Sequence, residues 1–226
     1  MLKKPDSSQS INKIININPL NPQPDIIDKA GQVIKNGGIV LFPTRYLYGL
    51  GADAFNTDAV NRVFEIKKRP YHKPLLILIH RQESLELLVR DVPATALRII
   101  KRFWPGDVTI VFEAKATLPA NLTAGTGKIG IRLPQHQVAA ALTRAVQGPI
   151  TATSANLAGR GGCSRVSDLD PLIAEKLDLI IDAGPLEGGI GSTVIDVTIA
   201  PPLILREGAV SARDIFEILG GSCKTQ

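Results

Sequence analysis

The sequence predicts an α/β fold with a mixed sheet, built as one continuous globular unit over residues 25–220. Segments with apolar residues at helical spacing are interleaved with short apolar runs of strand length. Several neighbouring strands are joined by connections too short for parallel crossovers, so antiparallel pairs must stand beside parallel ones. No internal repeat or low-complexity linker interrupts 25–220.

The elements follow in order. Residues 1–24 are rich in Ser, Asn, Gln and Pro, hold no apolar run long enough for a secretory or membrane segment, and read as a flexible arm. Over 25–35, Ile26, Ile27, Ala30, Val33 and Ile34 share one helical face, and Gly37-Gly38 is a stop signal before a strand at 39–42. After Thr57 the residues Val60, Val63, Phe64 and Lys67 keep helical spacing, which puts Lys67, Lys68 and Arg69 at a helix end before a buried strand at 75–79. Further helices are expected at 94–102, 138–146 and 211–219, the last opened by Ser211 with Asp214 three residues on, close to a capping box. Strands are expected at 109–113, 129–133, 150–153, 179–181, 193–197 and 203–205, and 221–226 as a short tail.

A chain of 226 residues with 44% hydrophobic and 21% charged residues can bury a sizeable core. Cys163 and Cys223 lie far apart with no second ligand pair, which supports neither zinc nor a disulfide framework and fits a reducing cytoplasm. A formal charge of +5 and a pI near 9.3 favour a polyanionic partner such as ATP or RNA without choosing between them.

Four familiar signals fail. Gly125, Gly127 and Gly130 have dinucleotide-fingerprint spacing, but IGIRLP continues as a strand where a helix should open. Gly127-Lys128 lacks both the following Ser or Thr and the earlier glycine of a P-loop. His72, His80 and His136 lack ligand spacing. Ser154 lacks the glycines of a nucleophile elbow.

What remains is a set of polar clusters at the ends of apolar segments. Lys67 and Arg69 can grip a polyphosphate or merely form a solvated basic turn. Ser154 and Asn156, just past ITAT, can donate to phosphate or cap a turn. Gly188-Gly189-Ile190-Gly191-Ser192-Thr193 can bring backbone N–H groups to an anion or form a tight turn.

Together with PTRYLYGLG, WPGDVTIVF, GIRLPQH, TATSANLAG, GSTVIDV and LILREGA, taken in that order, these clusters resemble the YrdC family of threonylcarbamoyl-AMP synthases from about Asp25 to Leu219. The resemblance implies a single twisted mixed sheet with flanking helices and a basic concave face holding ATP and L-threonine side by side. It implies a nucleotidyltransferase that makes threonylcarbamoyl-AMP and pyrophosphate from L-threonine, bicarbonate and ATP with Mg2+. Lys67, Arg69, Ser154 and Asn156 would be its catalytic residues, and with Ser192 and Arg206 they would hold ATP. Thr44, Tyr48 and Arg132 would line the threonine end. The product would pass to a tRNA-threonylcarbamoyl transferase partner or to tRNA, in the cytoplasm and without membrane attachment. The chain looks like the short form of the family.

Two other functions stay open. Carbamoyl-adenylate formation, as in hydrogenase-maturation proteins, would bring zinc-finger and acylphosphatase regions not found here. An RNA-binding module without catalysis would steer on phosphates alone, although 4% aromatic residues leave little for base stacking. The opening motif departs from the family at Arg45 and Tyr46, which replace an acidic residue and a small one. A bent loop would pack Tyr46 on the domain and leave Arg45 to solvent or tRNA-like anions; an extended one would turn Tyr46 into the threonine pocket.

Overall fold

The computed structural model describes residues 13–221 and 224–225, so Cys223 lies outside the described residues. Its strands, in order, are β1 (Ile14–Asn16), β2 (Val40–Pro43), β3 (Tyr48–Gly51), β4 (Leu76–Leu78), β5 (Val108–Glu113), β6 (Lys128–Arg132), β7 (Ile150–Thr151), β8 (Thr153–Ser154), β9 (Leu179–Asp182), β10 (Thr193–Asp196), β11 (Leu203–Arg206) and β12 (Lys224–Thr225). The helices are α1 (Pro24–Lys35), α2 (Thr57–Lys67), α3 (Leu85–Leu88), α4 (Ala94–Phe103), α5 (Gln137–Val146), α6 (Pro171–Ala174) and α7 (Ala212–Leu219).

Parallel and antiparallel pairs mix as expected, but in two sheets where one was predicted. One runs β1-β9-β2-β3-β8 and the other β12-β11-β10-β5-β6-β4-β7. The expected strand at 150–153 is where the chain changes sheets: β7 pairs with β4 and β8 with β3. The joint at Ala152 is stitched from both sides, since Thr151 N donates to Ala52 O at 2.8 Å and Ala152 N to Leu76 O at 2.9 Å. The Thr151 hydroxyl adds a bond to Leu50 O and accepts from Ala52 N. A strand whose two halves serve different partners therefore looks continuous in sequence.

Two ends also differ from expectation. Ile14–Asn16, inside the expected arm, forms β1 against β9, and Lys224–Thr225, inside the expected tail, pairs with β11. Residues 1–12 lie outside the described residues.

Alternation in β2 ties the layers together. Val40 and Phe42 enter one apolar cluster with Ile34, Leu142 and Ile181, whereas Ile39 and Leu41 enter the other with Phe64, Ile77 and Ile131. Being buried on both faces, β2 reads as a continuous apolar run. Helix α1 packs on α5 at Gly31, where a Cβ would sit 3.1 Å from that of Ala145. Helix α2 opens with Asn56 capping Ala59 N at 3.0 Å, and α7 with Ser211 capping Asp214 N at 3.1 Å, as its sequence predicted.

Candidate active site

A cavity of about 450 Å³ lies between the two sheets. Of the residues singled out from sequence, Thr44, Tyr48, Arg69, Arg132, Ser154, Ser192 and Arg206 stand on its wall. Lys67 and Asn156 do not; they lie immediately behind it.

Their placement follows from how α2 ends. Val60, Val63, Phe64 and Lys67 lie on one helical face, so Lys67 takes a core position and is only 2% exposed. Lys68 then enters the left-handed region (φ 48°), with Arg69 N bonded to Phe64 O at 2.9 Å. This turn throws Arg69 onto the cavity wall, where its guanidinium donates to Lys73 O at 3.0 Å and Pro74 O at 2.9 Å. The Lys67 ammonium turns inward to Ser154 O, to Asn156 O at 2.8 Å and to Asn156 Oδ1 at 3.3 Å. Burial, with the nearby Arg69 charge, lowers its pKa to about 7. Asn156 is itself occupied, accepting from the Ser154 hydroxyl and donating to Leu157 O and Arg160 O.

Across the cavity, Arg206 donates to Ser192 O at 2.7 Å through one terminal nitrogen and at 3.2 Å through Nε. The Ser192 hydroxyl meets that of Thr109 at 2.8 Å. Gly208 lets LILREGA press onto this turn: a Cβ there would fall 2.4 Å from the Ser192 carbonyl carbon. Gly208 N donates to Thr193 Oγ1 and Ala209 N to Gly191 O.

A second cluster, beside Ser192, is built around Asp107, whose backbone carbonyl accepts from Thr193 N at 3.0 Å. Its carboxylate accepts from Arg132 at 3.3 Å, from Arg45 at 3.3 Å and from the Tyr46 hydroxyl at 3.4 Å. Arg45 also reaches both oxygens of Glu187, at 3.1 and 3.2 Å. The loop does bend, with Thr44 N and Oγ1 both donating to Leu47 O. Tyr46 nonetheless lines the cavity, and Arg45 is exposed as expected but also ion-paired to Asp107 and Glu187. Burial pushes the Tyr46 phenol up, and the Asp107 charge adds to it. Arg132 keeps one buried donor, Nε, without a partner.

A family model, Sua5_yciO_yrdC, described as telomere recombination, matches residues 32–208. The chain belongs to the Sua5/YciO/YrdC family. It is 38% identical over 191 residues to a Pyrococcus abyssi protein named threonylcarbamoyl-AMP synthase, a match covering 84% of this chain and 56% of that protein. The crystal structure of P. abyssi Sua5 complexed with L-threonine matches at TM-score 0.87 and 37% identity, over 93% of this chain and 62% of the other. E. coli YciO matches at TM-score 0.82 and 28% identity, over 89% of this chain and 98% of its own. The chain thus spans 56% of the length of the P. abyssi relative.

Within this Sua5/YciO/YrdC domain, Tyr48 has a structural task besides standing on the cavity wall. It is fully buried, and its hydroxyl is engaged by Asp182 Oδ1 at 3.1 Å, Gly184 O at 2.7 Å and Ala183 N at 2.9 Å. Its hydroxyl ties the end of β9 to β3, while the residue also stands on the cavity wall. Sequence reasoning also missed three wall or near-wall residues. Lys128 pairs with Asp196 at 2.9 Å on the cavity wall. Burial pushes the Asp196 carboxyl up, but hydrogen bonds from Thr198 and Lys128 win and hold it below the usual range. Asp107 was visible only as an acid inside WPGDVTIVF; the signal that could have found it is the unexpected positive charge at Arg45.

Proposed function

We propose that this chain forms L-threonylcarbamoyl-AMP and pyrophosphate from L-threonine, bicarbonate and ATP. The observation that carries the reading is one cavity whose wall combines Arg69, Arg206 and Arg132 with the hydroxyls of Ser154 and Ser192. The Ser154 hydroxyl is bonded to Asn156 and not to a general base, so the wall suits positioning and charge stabilisation over covalent catalysis. The names of the relatives point the same way.

In this reading the neutral threonine amine adds to the carbon of bicarbonate with loss of water. A carbamate oxygen then attacks the α-phosphorus of ATP, and the bond to the β-phosphate oxygen breaks to release pyrophosphate. Arg69, Arg206, Ser154 and Ser192 stabilise the phosphate oxygens, and Arg132 on the wall meets the threonine carboxylate. Thr44 and Tyr46 bound the amino-acid end. Magnesium arrives with ATP. Asp196 is the one carboxylate on the wall among the described residues, and its oxygens already meet Lys128 and Thr198. A magnesium ion held by phosphates and water needs no further protein cage. We place the reaction in the cytoplasm, where a partner would transfer the threonylcarbamoyl group to tRNA.

The test is pyrophosphate release from ATP and Mg2+ with bicarbonate and L-threonine, alongside incorporation of labelled bicarbonate into the nucleotide product. Strong threonine dependence is expected. Equal release with every amino acid, or binding of RNA with no turnover, would reject the reading.

A further inference from the structure

We infer that Lys67 is a positioning residue, which shapes the Ser154–Asn156 turn from behind the cavity wall and acts on the nucleotide only through Ser154. This rests on the proposed reaction for its kinetic consequence, but not for its structural one.

Three observations carry it. First, Lys67 is 2% exposed and absent from the cavity wall, whereas Arg69, two residues on, stands there. Second, an ammonium has three N–H donors, and three oxygens meet this one: Ser154 O, Asn156 O and Asn156 Oδ1. No donor is left for a phosphate. Third, the turn is bound to Lys67 by its backbone too, with Ala158 N donating to Lys67 O at 2.8 Å. The same turn is tied to β3 through Ala155 N on Tyr48 O at 2.9 Å, and Tyr48 N returns to Cys163 O at 3.0 Å. Asn156 Oδ1 takes both Lys67 and the Ser154 hydroxyl, so the lysine fixes the very amide that orients Ser154.

A bridge of this kind has a chemical consequence. Backbone carbonyls gathered around one point repel each other unless a cation sits among them. Removing the ammonium therefore lets the turn open, and Ser154 loses its direction toward the cavity.

The experiment uses the full chain with Lys67→Met, which keeps the stem and removes the donors. Amide hydrogen exchange over residues 154–160, without any substrate, is expected to quicken at least about tenfold, while Arg69→Ala leaves it unchanged. Unchanged exchange in a folded Lys67→Met protein would overturn the inference whatever the fate of the proposed reaction. In turnover, Ser154→Ala and Lys67→Met together are expected to lose no more than the worse single variant, because both break one path. Multiplied losses would instead show a separate Lys67 contact with ATP. Should Lys67→Met fail to fold, amine acylation of the native protein decides: Lys67 is expected to label far more slowly than Lys68 whether or not ATP is present. Fast labelling that ATP blocks would place the ammonium in the nucleotide site and overturn the inference.

Discussion

The basic side chains in and around the cavity fall into two groups that differ in what holds them. Lys67, Arg69 and Arg206 are held by neutral oxygens, chiefly backbone carbonyls, and none forms an ion pair among the described residues. Arg45, Lys128 and Arg132 are held by the carboxylates of Asp107, Glu187 and Asp196. Carbonyls fix a cation without cancelling its charge, so Arg69 and Arg206, the two of this group on the wall, present net positive charge to a ligand and suit a polyphosphate. The second group is close to neutral as a whole and suits a zwitterion, whose carboxylate and amine each need a local partner and no net field. The two substrates of the proposed reaction differ in this way.

The largest expected effect comes from breaking the second group at its buried centre. Asp107→Asn leaves Arg132, only 8% exposed, without a counter-charge. Breaking a buried pair costs about 3 kcal/mol. For a chain of this size that is roughly 6–12 °C in melting temperature. The KM for threonine should rise while that for ATP moves less than about threefold. An equal rise in both would show that the two groups do not act separately.

Next is the carbonyl-held group. Arg69→Ala and Arg206→Ala should each raise the ATP KM or lower kcat by roughly tenfold to a hundredfold, the worth of a charge-assisted hydrogen bond at about 1.5–3 kcal/mol. Lys68→Ala, just outside the wall, should change neither by more than about twofold. Equal losses at Lys68 and Arg69 would mean a diffuse field in place of specific contacts.

The residues of the cavity wall were partly legible in the sequence, but this division was not. The helical spacing of Val60, Val63, Phe64 and Lys67 was legible, but Lys67 was expected to grip a polyphosphate or sit in a solvated turn, and its burial was not read from that spacing. The hairpin strand β3 was not legible, because two glycines and a tyrosine in Tyr48–Gly51 read as loop. They form a strand because β2 and β8 supply partners on both sides, and the Phe42 ring lies where a Gly51 Cβ would come within 2.9 Å. The sheet change at Ala152 is a tertiary event with no local mark. Asp107 escaped notice for the same reason: it matters through Arg45, 62 positions away.

Tyr46 sharpens the comparison at intermediate size. It lines the cavity, and its hydroxyl makes one long bond to Asp107. Tyr46→Thr removes that bond and widens the pocket, so the threonine KM should rise about two- to tenfold, the worth of one ordinary hydrogen bond at about 0.5–1.5 kcal/mol. Larger amino acids should gain by comparison. If threonine use improves strongly in the variant while the parent prefers another amine, threonine is not the native substrate.

The smallest expected effect is at Glu187, and its smallness is what the comparison requires. Arg45 is 48% exposed and Glu187 57% exposed, so their ion pair sits in solvent although Nε reaches both carboxylate oxygens. Exposed pairs contribute about 0–1 kcal/mol and are screened by salt. The loop holding Tyr46 has other ties, namely Arg45 on the buried Asp107 and Gly188 N on Tyr46 O at 2.9 Å. Glu187→Gln should therefore lower stability by less than about 1 kcal/mol, with the difference fading at high salt, and should shift the threonine KM by about twofold or less. Urea unfolding at low and high salt, beside steady-state kinetics, measures both. A loss in threonine binding as large as that of Asp107→Asn would show that the exposed pair, and not the buried carboxylate, holds the amino-acid end together.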